Sequence, residues 1–191
     1  MEYPALLIID MVKDNFDESK KLPLTEHAKK IIDPINRVIS GFRKKGYPIV
    51  FSTDAFKEDD FIFQGSKMKP HSIAGTEGAK VIDELDMRPE DLWLPKPRFS
   101  AFFNTNLRDW LKERKVSLCA IAGITTTFCV LATAMDSICY DFKTVILEDC
   151  CAAARDWMHK NIIECYRKTP LYPLFRVLSS TEFLKELGIE E

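Results

Sequence analysis

The chain has 191 residues, 46% of them hydrophobic and 29% charged. That is enough for one sizeable core and short for two independent enzyme domains. Basic residues number 27 against 29 acidic ones, for a formal charge of −2. With no basic cluster, there is no electrostatic footprint for nucleic acid or an anionic membrane surface.

The opening MEYPALLIID lacks a basic stretch and a small-residue cleavage site, so no signal peptide is expected. The uncharged run Val116 to Met135 is long enough to raise the membrane question. Gly123 and Thr125-Thr126-Thr127 break its middle, which suits a buried strand, a turn and a buried helix. The six cysteines, Cys119, Cys129, Cys139, Cys150, Cys151 and Cys165, form no CxxC pair and suggest neither a disulfide framework nor a zinc ribbon. The expectation is a soluble, reduced, cytoplasmic protein.

Ala5 to Ile9 is an apolar run closed by Asp10, the pattern of a strand buried on both faces. Ala28, Ile31, Ile32, Ile35, Val38, Ile39 and Phe42 recur at helical spacing up to Gly46. Pro34 either kinks that helix or lies in the first turn of one starting at Asp33. Tyr47 to Ser52 is the second strand. Residues 54–75 have no period, and a loop of this length inside a compact domain is usually functional. A short helix is expected over Glu77–Leu85, a strand over Asp91–Leu94 and a helix over Asn104–Arg114. Val116–Ala122 reads as a strand and Thr127–Tyr140 as a helix apolar almost all round. Phe142–Leu147 follows as a strand, Ala153–Arg167 as a helix and Phe175–Leu178 as the last strand, with Ser180 capping the final helix.

Alternating apolar strands and helices without repeats predict an α/β fold, one doubly wound, Rossmann-like domain. Its sheet is mostly parallel, with helices on both faces. Ligands of such sheets sit outside the carboxyl ends of the strands, at the switch point. Three residues qualify by position: Asp10 after the first strand, Lys96 after the third, and Cys129 beyond the most apolar one. A thiol beside an ammonium and a helix N-terminus is favoured as thiolate. A carboxylate can take the thiol proton and return it to a departing amine, and backbone N–H groups in the turn can hold an oxyanion. Each residue also has a plainer reading: Asp10 as a turn former, Lys96 as a surface lysine, Cys129 as core.

The segments ALLIIDMVKD, KPHSIAGTEGAKVIDEL, KPRFSAFFNTNL and AGITTTFCVLATAMDS resemble the isochorismatase-like cysteine hydrolases, in that family's order and over nearly the whole chain. The resemblance implies one hydrolase domain over 1–191, with Asp10, Lys96 and Cys129 as the catalytic triad. It also implies a cis peptide at Ile124-Thr125 and an oxyanion hole built from the Thr125 and Cys129 amides. The implied reaction cleaves a C–N bond of a small amide, ureido or carbamoyl substrate through a thioester, in a chain that forms dimers or tetramers. Phe16, Phe56, Phe61, Phe99 and Phe102 are candidate pocket walls, together with Asp54 and His71.

The departures from the family concern substrate. The loop after the second strand reads Thr53-Asp54-Ala55-Phe56-Lys57-Glu58-Asp59-Asp60, without the Asp-x-His of metal-binding nicotinamidases. Asp54 and His71 are then the weak candidates for a metal, and catalytic zinc usually has three protein ligands. No cofactor is expected, and His71 reads first as a loop-fixing residue. His27 and His159 read as solvated or capping residues. Asp14-Asn15-Phe16 displaces the usual Asp-Phe aromatic, and Thr127 replaces a frequent acidic residue. The competing readings are a nicotinamidase with a weak metal site, an isochorismatase-type vinyl-ether hydrolase, and a non-catalytic scaffold.

Overall fold

The computed structural model describes residues 2–189. Six strands, β1 (Pro4–Ile9), β2 (Ile49–Asp54), β3 (Leu92–Lys96), β4 (Leu118–Ile124), β5 (Lys143–Ala152) and β6 (Phe175–Leu178), lie in the order 3-2-1-4-5-6. Every pairing is parallel, so the doubly wound expectation holds and the switch point falls between β1 and β4. Among the described residues the α-helices are α1 (Lys13–Phe16), α2 (Thr25–Lys29), α3 (Ile32–Lys45), α4 (Leu107–Glu113), α5 (Leu131–Cys139), α6 (Asp156–Arg167) and α7 (Ser180–Glu186).

The period of two along β1 divides the core. Leu6 and Ile8 point to a cluster with Ile35, Val38 and Phe42 of α3 and Phe183 of α7. Ala5, Leu7 and Ile9 point to one with Leu107 and Leu111 of α4, Ala134 of α5 and Ile163 of α6. Each face is thus sealed by its own helices, which is why the strands read as continuous apolar runs. No described helix is long and apolar enough to cross a membrane.

Several sequence expectations are corrected. Residues 77–85 form only a single 3-10 turn, Glu77–Ala79. Backbone bonds from Lys13 N–H to the Lys80 carbonyl and from Ile82 N–H to the Met11 carbonyl draw the rest alongside β1's exit, overriding local helical spacing. The third strand runs on through Pro95 to Lys96; as an edge strand it tolerates the missing N–H of proline. Lys96 is therefore the last strand residue instead of a loop residue. Asp54 likewise closes β2, and β5 continues five residues past Leu147. Thr127–Tyr140 divides into a π-helical turn, Thr126–Val130, followed by α5. The cap of α7 is Ser179, not Ser180, in a capping box with Glu182. Pro34 falls in the first turn of α3, where its missing N–H costs nothing.

Gly123 is required where it stands. Its φ is +107°, and a Cβ there would lie 2.1 Å from the Ile9 carbonyl oxygen. Only a residue without a side chain lets β4 lie so close to the end of β1.

Candidate active site

Asp10 leaves β1 with φ of 54°, in the left-handed region that Asp tolerates better than most residues. Its N–H donates to the Ser52 carbonyl at 2.9 Å. This turn directs the carboxylate back over the strand ends, where it is almost fully buried. Asp10 Oδ1 accepts the Asp54 backbone N–H at 2.7 Å, and Oδ2 accepts Lys96 Nζ at 2.9 Å. Asp54 and Lys96 are register partners across β2 and β3, and their side chains also meet in an ion pair.

Cys129 reaches the same spot from the π-helical turn after β4. One ligand-type atom each from Asp10, Asp54 and Cys129 lies within 4.8 Å of the others. The three residues singled out from strand ends therefore converge, and Asp54 joins them as a fourth member. The Ile124–Thr125 peptide is cis, as the resemblance implied.

The electrostatics correct one expectation. Burial pushes the Cys129 thiol well above its ordinary value, Asp10 and Asp54 push it further, and the Lys96 ammonium only partly opposes them. Two carboxylates beside a buried sulfur outweigh one ammonium, so the surroundings favour the thiol over the thiolate. Burial also raises the Asp54 carboxyl, with help from Asp10 and against Lys96, to about 7. Burial by itself would lower Lys96, but Asp10, Cys129 and Asp54 reverse the sign and hold it protonated.

Above this cluster lies a cavity of about 150 Å³, lined by Asp10, Asn15, Leu24, Asp54, Phe56, Met68, His71, Phe99, Ile124, Thr125, Phe128 and Cys129. Both expected oxyanion residues, Thr125 and Cys129, thus face it. Of the expected walls, Phe56, His71, Phe99 and Asp54 are present. Phe16 is not: it packs with the core beneath α3, because one step along α1 turns it away while Asn15 faces inward. Phe102 is buried among Tyr140 and Phe142 in the opposite core, and Phe61 is 77% exposed.

Sequence reasoning missed Asn15, Leu24, Met68 and Phe128. Only Phe128 carried a signal, one residue before the nucleophile candidate, and it meets Phe99 at 6.0 Å between ring centroids. The aperiodic segment 54–75 supplies Phe56, Met68 and His71. It is held by bonds from Phe56 N–H to the Ser72 carbonyl and from Ala74 N–H to the Phe56 carbonyl. Ser72 N–H donates to Asp14 at 2.6 Å.

His71 Nδ1 bonds the Lys69 carbonyl at 2.9 Å, and its ring meets Phe56 and Phe63 edge-on, a loop-fixing role. His27 pairs with Asp156 at 3.0 Å. His159, expected as solvated or capping, is half-buried and bonds Thr126 Oγ1 at 2.9 Å, which ties α6 to the turn that carries Cys129. Burial lowers its pKa.

A family model for the isochorismatase domain matches residues 4–182. The chain belongs to the isochorismatase family of hydrolases. Among isochorismatase-family relatives, it is 32% identical over 173 residues to a probable inactive nicotinamidase of Arabidopsis thaliana, covering 84% of this chain and 86% of that one. The crystal structure of N-carbamoylsarcosine amidase from Thermoplasma acidophilum aligns at a TM-score of 0.78 with 31% identity, over 94% of this chain and 97% of that one. Pyrazinamidase of Pyrococcus horikoshii, solved in complex with zinc, aligns at 0.81 with 26% identity, over 93% and 99%.

Among the described residues, Asp10, Asp54 and Cys129 each offer one donor atom close enough to the others to hold a metal ion, and Lys96, bonded to both carboxylates, places a positive charge among them.

Proposed function

We propose that this protein is a metal-independent, cysteine-dependent amidohydrolase that cleaves the C–N bond of a small amide, ureido or carbamoyl substrate. The carrying observation is that Asp10 bonds Lys96 while standing beside the Cys129 sulfur at the floor of a small cavity. A carboxylate so placed serves as base, acid and base again in one turnover.

Cys129 Sγ attacks the substrate carbonyl carbon while its proton passes to Asp10. Burial and the two carboxylates favour the thiol, so proton transfer accompanies attack. The carbonyl oxygen becomes an oxyanion, held by the Thr125 and Cys129 amides. Collapse expels ammonia or an amine, which takes the proton from Asp10, and leaves a thioester. Water then gives a proton to Asp10 and attacks the thioester. The acid leaves, and sulfur recovers its proton. Lys96 stays charged throughout and offsets the two carboxylates.

The test is ammonia release across small amides, ureides and carbamoyl compounds by wild type, Cys129→Ala and Asp10→Asn. Turnover in wild type with loss in both folded variants is expected. Ammonia release that survives Cys129→Ala would overturn the covalent route, and no release by wild type would favour a non-catalytic protein. Turnover abolished by a chelator and restored by zinc would favour the metal-assisted alternative.

A further inference from the structure

The cavity walls are apolar at Leu24, Phe56, Met68, Phe99 and Phe128, and Asn15 interrupts them next to the reacting cluster. Its backbone is fixed, with N–H donating to the Val12 carbonyl at 3.0 Å and its carbonyl accepting Thr25 Oγ1 at 2.9 Å. Its side-chain Nδ2 donates to the Asp10 carbonyl at 3.0 Å. A carbonyl only accepts, so the amide nitrogen must face Asp10, and the rotamer is thereby set. Oδ1 is the atom left over, and no described residue donates to it. A fixed acceptor without a protein donor, in the wall of a small apolar cavity beside the nucleophile, is suited to a ligand N–H.

We propose that Asn15 is a specificity-determining residue whose Oδ1 accepts a hydrogen bond from a substrate N–H adjacent to the scissile carbonyl. It selects ureido-type compounds, R–NH–CO–NH2, over amides with CH2 in that place. An acceptor in a narrow cavity wall discriminates against an analogue lacking the donor, because the bound analogue covers that acceptor without pairing it. The cavity's size keeps R small. The inference rests on the amidohydrolase reading for catalysis but not for binding.

The matched pair is ethylurea and butyramide, which differ by NH for CH2 next to the carbonyl. Dissociation constants are measured by NMR titration in a Cys129→Ala background, with and without Asn15→Leu, and with Asn15→Ala as a second variant free of added bulk. Asn15→Leu and Asn15→Ala are each expected to weaken ethylurea about tenfold and butyramide less than about twofold, the scale of one hydrogen bond. Comparing each ligand with itself cancels their different solvation. An equal loss for both ligands would assign Asn15 to holding the Asp10 carbonyl, and no loss for either would remove it from recognition; both overturn the inference. Turnover of the pair by the unmutated enzyme is scored separately. Selective binding without any turnover sinks the hydrolase reading alone, and turnover with unselective binding sinks the Asn15 assignment alone.

Discussion

Lys96 and Asp54 face each other as register partners at the ends of β3 and β2, and their side chains close a buried ion pair that Asp10 shares. Removing one member of a buried pair strands the others. Lys96→Met is therefore expected to cost about 3–5 kcal/mol of folding stability. Urea unfolding measures this, and adding Asp54→Leu should recover part of the loss by removing one stranded carboxylate. A change below about 1 kcal/mol would mean that the carboxylates keep their solvation.

The Cys129 thiol is held up by burial, Asp10 and Asp54. Asp54→Asn removes one negative neighbour and should shift the alkylation profile of Cys129 to lower pH. Cys139 and Cys165 are exposed, so the measurement needs both as Ser, with iodoacetamide adducts read by mass spectrometry. A shift to higher pH would contradict the charge arrangement.

Asp54 also gives stability a definite sign with pH. Its carboxyl titrates near an ordinary 3.8 when unfolded and at about 7 in the folded protein. Between those values the unfolded chain has released a proton that the folded one keeps, so this group makes stability fall as pH rises from 4 to 7. Urea titrations at intervals across that range should show the decline in wild type and a flatter course in Asp54→Asn. Parallel curves would assign the titration elsewhere.

Gly123→Ala combines a φ of +107° with overlap on the Ile9 carbonyl. A loss of about 3 kcal/mol or more is expected. Gly65→Ala is the control, since its φ of +77° is also left-handed but nothing lies within 4 Å of the added carbon. It should cost about 1 kcal/mol. Equal shifts in thermal unfolding for the two variants would show that β4 can yield at Gly123.

The parts legible in the sequence were those with an abrupt local signature. Asp10 and Cys129 end or follow apolar runs, and the switch-point rule turns such positions into neighbours without knowledge of any contact. Lys96 is legible even from a strand that ends at Leu94, and Pro95 looks like a stop until the strand is known to lie at the sheet's edge. Cavity walls follow a different logic. An aromatic such as Phe16 suits a pocket wall, yet α1 is a single turn, and one step along it puts Asn15 in the cavity and Phe16 against the core. Phe102 and Phe99 are both aromatic and close in sequence, but only packing against Tyr140 and Phe142 decides which is core. Leu24 and Met68 sit in stretches without period, so nothing local marks them. The balance at the Cys129 sulfur has no local signature, because it depends on how closely Asp10, Asp54 and Lys96, from three separate strand ends, approach it.

The four groups at the cavity floor come from positions 10, 54, 96 and 129, on the ends of three strands and the turn after a fourth. Segments as distant as residues 10 and 129 must therefore be in place together before these atoms are able to meet, and the cluster exists only while four neighbouring strands keep their alignment.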